Sequence, residues 1–135
     1  MTVVVDASVL VDSLVEGPLA GLVDQRLHDE DAFWAPHLID AEVGHALRAG
    51  VRRGELSVSA ASGALDELAR LPIERAPHVD LARTAWDLRH NVSYYDALYV
   101  ALAAALDAPL VTLDARLAAA PGLPAVVECL APTEG

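Results

Sequence analysis

No lysine occurs in this chain, and positive charge is scarce altogether: nine arginines stand against twenty acidic residues, for a formal net charge of −11. Such a balance argues against a broad nucleic-acid-binding surface, because like charge opposes approach to phosphate. It is compatible with a site that recruits divalent cations, or with a basic partner protein. The lack of lysine itself carries no functional weight. A single cysteine, Cys129, excludes an internal disulfide and a cysteine metal cluster. Apolar runs are interrupted well short of the ~18 residues that suggest a membrane span. The first apolar stretch contains Asp6 and Asp12 and has no basic leader, so no signal peptide is expected and the expected location is cytoplasmic. Aromatic residues make up only 4% of the chain, whereas 54% is hydrophobic, much of it alanine. One helix-rich domain over residues 1–135 is expected, long enough for a core without covalent staples.

The opening MTVVVDASVLVDSL contains a short valine strand, Thr2 to Val5, apolar on both sides and suited to the middle of a covered parallel sheet. Helices are predicted from Ser8 to about Val15 and from about Leu19 to His28. A strand follows near Ala32 to Trp34. Pro36 is suited to the start of a helix over His37–Val51, whose apolar stripe includes Ile39, Val43 and Leu47. Arg52, Arg53 and Gly54 end that helix. Another begins at Ser57 or Ser59 and reaches Arg70. A brief strand at Ile73-Glu74, a helix from His78 to Arg89 and a helix from Ser93 through Leu106 come next. Leu110 to Thr112, Ala115 to Ala119 and Ala125 to Glu128 read as strand, short helix and strand, with PTEG as a frayed tail. This alternation predicts a three-layer α/β/α sandwich around a mainly parallel sheet of about five strands.

Four acids fall at the ends of these elements. Asp6 and Asp114 follow strands, Glu42 lies early in a helix, and Asp96 lies in the first turn of the helix in SYYDALYVALA. In a parallel α/β fold, strand C-termini and helix N-termini share one rim, so all four can face a common cavity. Carboxylates drawn together repel unless a cation holds them, and hard oxygen ligands without histidine or cysteine favour Mg²⁺ or Mn²⁺. Such a pocket suits phosphodiester hydrolysis. Local structure offers a second account. Ser93 and Asp96 have capping-box spacing, Asp6 and Asp114 can cap the helices after them, and Glu42 suits a first helical turn. Caps alone give no reason for four acids to converge on one rim.

VVDASVLVD, Glu42 in HLIDAEVGHAL, SYYDALYVALA and LVTLDARLA, taken in order, resemble the PIN-domain family, and in particular its VapC-type toxin ribonucleases from bacterial type II toxin–antitoxin systems. The likeness runs from Thr2 to about Leu130. It implies an endoribonuclease dependent on Mg²⁺ or Mn²⁺, with Asp6, Glu42, Asp96 and Asp114 on the family's acidic positions. Ser8 and Thr112 match a hydroxyl often found beside the metals. The implied chemistry is attack of an oriented water on phosphorus, leaving a 5′-phosphate and a 3′-hydroxyl. Some members carry a further acid two residues on, where this chain has Arg116. Members commonly form homodimers and bind an antitoxin whose basic segment enters the active site, which suits a chain of charge −11.

Around the acids, Arg116, Asn91 and Arg89 are candidate phosphate contacts, although Asn91 also suits a helix stop. Arg52 and Arg53 suit a helix C-terminus as well as RNA, and His45 lacks a second histidine at metal-motif spacing. Trp34 and Trp86 read as core or interface anchors. Tyr94, Tyr95 and Tyr99 read as packing against the sheet, with base stacking as the alternative for one of them. Cys129 reads as a small buried hydrophobe. Other classes fit less well. A phospho-acceptor receiver-like domain would need a second early acid and a late lysine. A haloacid-type phosphatase would need an aspartate where Ser8 stands. A PIN-like nuclease outside a toxin pair, and a non-catalytic acidic Mg²⁺-binding regulatory domain, remain as alternatives.

Overall fold

The computed structural model describes residues 1–131. Five strands, β1 (Thr2–Val5), β2 (Ala32–Pro36), β3 (Ile73–Ala76), β4 (Leu110–Thr112) and β5 (Val127–Cys129), form one sheet in the order β3-β2-β1-β4-β5. Every pairing is parallel. The first strand is therefore the central one, and Val3, Val4 and Val5 are wholly buried. A strand covered on both faces needs apolar residues at every position, which accounts for the unalternating valines.

Among the described residues, seven α-helices connect and cover the strands: α1 (Ala7–Leu14), α2 (Ala20–Leu27), α3 (Leu38–Arg52), α4 (Val58–Arg70), α5 (Ala82–Asp87), α6 (Tyr94–Leu106) and α7 (Ala115–Ala119). Helices α1 to α4 pack on one another as one layer, and α5 packs on α6 in the other. The architecture is the expected α/β/α sandwich. Helix α3 buries Ile39, Val43, Leu47 and Gly50 along one stripe. It ends at Gly54, whose φ of +75° is a conformation glycine adopts without strain. The Ser57 hydroxyl then accepts from the Ala60 N–H at 3.0 Å and starts α4. Helix α6 is different: Ala97 to Ala103 are all buried, and the helix lies against β1, β2 and β4. A helix apolar all round belongs inside the molecule.

Four expectations need correction. The helix expected over His78–Arg89 is a 3-10 turn at His78–Asp80 followed by the short α5, and Arg89 lies in the turn beyond it. The first residue of the segment is tied to the start of α3, where His78 Nε2 accepts from the Leu38 N–H at 2.9 Å. Pro36 closes β2 instead of opening α3. It pairs in register with Ala76, and the next amide, that of His37, donates to the Ala76 carbonyl at 3.0 Å. A proline at a strand's last position removes no needed donor. The last strand is shifted to Val127–Cys129, and Cys129 is only half-buried. Of the expected tail, residues 132–135 lie outside the described residues. No described helix is long and apolar enough to cross a membrane.

Candidate active site

The strand order reverses between β1 and β4, so their carboxyl ends flank the crevice where open α/β sheets bind ligands. Asp6 leaves β1 at this point and is only 8% exposed. Its Oδ1 accepts from the Ser8 hydroxyl at 2.6 Å and from the Val9 N–H at 3.3 Å, and its Oδ2 accepts from the Thr112 hydroxyl. Each hydroxyl is held in turn by backbone from the end of β4. The Leu113 N–H donates to Ser8 Oγ at 3.0 Å, and the Asp114 N–H donates to Thr112 Oγ1 at 3.0 Å. Ser8 and Thr112 thus clasp the Asp6 carboxylate between the two central strands.

Asp114 caps α7 through the Arg116 N–H at 2.9 Å, and Asp96 lies in the first turn of α6, whose Ser93 cap accepts from the Asp96 N–H at 3.1 Å. The caps expected at the starts of α6 and α7 are therefore present, while no bond from the Ser93 amide to the Asp96 carboxylate completes the capping box among the described residues. They do not account for the mutual influence of the acids. Burial raises the Asp6 carboxyl above its ordinary range against the pull of Ser8, Thr112 and Val9, and the Asp96 charge raises it further. Burial also raises Asp96, with the Ser93 hydroxyl opposing and the Asp114 charge adding. Cys129, opposite Thr112 on β5, has its thiol raised by burial and by the charges of Asp114 and Asp6. Asp6, Asp96 and Asp114 share one electrostatic neighbourhood.

Glu42 joins them through a residue that the sequence leaves inconspicuous. Tyr99, 1% exposed, lies one turn beyond Asp96 on α6, and its hydroxyl donates to Glu42 Oε1 at 2.6 Å. Burial, the Glu42 bond and the nearby charges of Asp6 and Asp96 all hold the phenol protonated. Its sequence neighbours are apolar, so it reads as core; no spacing marks it as a partner of Glu42. Glu42 and Ser8 line a cavity of ≈890 Å³ with Val11, Leu38, His45 and Tyr95. Asp96, Asp114, Arg116 and Asn91 line a smaller one of ≈260 Å³. Asn91 is committed to the loop beside it, donating to the Pro121 carbonyl at 2.8 Å. Arg116 is exposed. Arg89 donates to the Trp86 carbonyl at 3.1 Å and lies over the Trp86 ring, not over the acids.

Among the described residues, no three acidic, histidine or cysteine side chains close into a ready-made metal cage. The donor set nevertheless fits a hard divalent cation. Asp6, Glu42, Asp96 and Asp114 offer only oxygen, and none of the ion pairs among the described residues involves them. Every hydrogen bond described to the Asp6 carboxylate comes from a neutral group, so its charge is oriented without being neutralised.

The PIN domain family model matches residues 3–123. Ribonuclease VapC1 of Mycobacterium tuberculosis is 53% identical over 126 residues, which span 93% of this chain and 95% of that protein. Ribonuclease VapC9 of the same species is 41% identical over 117 residues, covering 85% and 87%. The crystal structure of PAE2754 from Pyrobaculum aerophilum superposes with a TM-score of 0.66 at 27% identity, covering 95% of this chain and 83% of that one. VapBC2 from Rickettsia felis, bound to a DNA fragment from its promoter, shares the fold at a TM-score of 0.65 and 14% identity, with 96% and 98% covered. The chain belongs to the PIN-domain family, in its VapC toxin–ribonuclease group.

Proposed function

We propose that this chain is a Mg²⁺- or Mn²⁺-dependent endoribonuclease acting as the toxin of a toxin–antitoxin pair, with Asp6, Glu42, Asp96 and Asp114 as its metal-holding acids. The observation that carries this is Asp6 itself: a buried carboxylate at the strand-order reversal, clasped by two neutral hydroxyls, near the charge of Asp96 and in none of the ion pairs among the described residues. When bound there, the ion supplies Lewis acidity and lowers the pKa of water for displacement at phosphorus.

The chain's own residues supply the arrangement. Ser8 and Thr112 fix both oxygens of Asp6, and Tyr99 from the opposite helix layer fixes one oxygen of Glu42, so both acids are held before substrate arrives. Asp96 and Asp114 are carried on helix starts, where the amide ends favour negative charge. Arg116, exposed beside Asp114, is suited to fork onto a substrate phosphate. The ribonuclease names of its relatives support an RNA substrate, and the net charge of −11 suits a basic antitoxin partner; a homodimer is the proposed working assembly.

The test is incubation of the purified chain with mixed cellular RNA and Mg²⁺ or Mn²⁺, beside chelator and Asp6→Asn controls, with the new fragment ends mapped. Metal-dependent cuts carrying 5′-phosphates, absent in both controls, are expected. A folded chain that neither binds divalent metal nor cuts RNA would return the four acids to capping alone.

A further inference from the structure

An acidic chain that handles RNA must meet a polyanion somewhere, and arginines outside ion pairs are its means of doing so. Arg26, Arg53 and Arg75 are paired with Glu30 and Glu128, with Glu55 and with Asp40. The other arginines make no ion pair among the described residues. Two of them flank Trp86 on and just beyond α5. Arg83 precedes it by one helical turn, and Arg89 lies with its guanidinium carbon 5.0 Å from the ring centroid. The Arg89 guanidinium is fixed in place by its bond to the Trp86 carbonyl. Arg83, Arg89 and His90 are exposed, as are Asp80 and Asp87 along the edge of the same segment. Trp86 itself is 55% exposed, which excludes the core half of its core-or-interface reading. Two residues past Arg89 the chain reaches Asn91, which lines the small cavity of Asp96, Asp114 and Arg116.

A half-open indole backed by one arginine and preceded by another matches the surfaces that hold single-stranded nucleic acid: a π-face accepts any base, and nearby cations meet the backbone. Resting on the ribonuclease reading, we propose that Trp86, with Arg83 and Arg89, is a stacking platform for an unpaired RNA base next to the scissile phosphate. Trp86 is then a positioning and specificity residue: it favours cuts in loops and single strands, where bases are free to leave the stack.

The measurement is binding of a labelled single-stranded oligoadenylate to the Asp6→Asn chain in Mg²⁺, with and without Trp86→Ala or Trp86→Phe. Trp86→Ala is expected to weaken binding about tenfold and Trp86→Phe to restore most of it, with melting temperatures unchanged. The cutting rate of the same variants in the Asp6 background should fall most on single-stranded substrates. Equal binding by Trp86→Ala and its parent would overturn the platform. So would conversion of a dimer to a monomer by Trp86→Ala, which would make this face an interface between copies. Failure of the unaltered chain to cut any RNA would remove the ribonuclease reading and the platform together. Cutting by that chain with unchanged Trp86→Ala binding would remove only the platform.

Discussion

Asp6 accepts three hydrogen bonds and is still disfavoured as an anion, because burial outweighs its donors and Asp96 adds repulsion. The folded chain therefore holds the Asp6 proton more tightly than the unfolded chain does. Folding carries no such penalty below the ordinary carboxylate range, and the penalty grows as pH rises through the raised folded pKa. Asparagine keeps the cap and removes the charge. In chelator, Asp6→Asn is expected to melt above the parent chain at neutral pH, with the gap closing as pH falls toward 4. A parent chain as stable as the variant across that range, followed by thermal melts at stepped pH, would contradict the assignment. At this scale Asp6, Asp96 and Asp114 were legible, because each sits just past a strand or in a first helical turn. The hydroxyl clasp on Asp6 was legible only as a family likeness. Tyr99 was not legible as a partner of Glu42, since a tyrosine among alanines and leucines looks like packing.

Two elements from opposite layers meet through Tyr99 and Glu42, which lie 57 residues apart in the chain. Removing the phenol leaves Glu42 on α3 free to sample other rotamers while the α6 core stays filled. Tyr99→Phe is therefore expected to lower the cutting rate about tenfold with little change in KM, since a hydrogen bond to a charged group contributes roughly 1.5–3 kcal/mol. Steady-state kinetics on a defined oligonucleotide would check this; an unchanged kcat would make Tyr99 a packing residue only. The elements themselves were mostly readable from period and punctuation, as with the Ser57 cap and the Gly54 stop. What was not readable is what other parts of the molecule impose. His78 is claimed by the Leu38 amide, and Pro36 stays in its strand because β3 lies beside it.

For the molecule as a whole, the site gathers four of the twenty acids that bring the chain to −11. A divalent ion bound there is linked to folding, so Mg²⁺ should stabilise beyond what ionic strength does. At a concentration about a hundredfold above Kd the gain is roughly 2.7 kcal/mol, a shift of several degrees in Tm. Melting in MgCl₂ against NaCl of equal ionic strength should show that increment in the parent chain and not in Asp6→Asn. Equal shifts from both salts would leave only screening. The parallel order β3-β2-β1-β4-β5 also has a consequence in time. The hydroxyl that clasps Asp6 from β4 lies 106 residues downstream of it. Asp6 thus leaves the ribosome well before β4 and Asp114 do. No nascent fragment that stops short of Asp114 can assemble the full set, so the centre is completed only once β4 has joined β1 in the sheet.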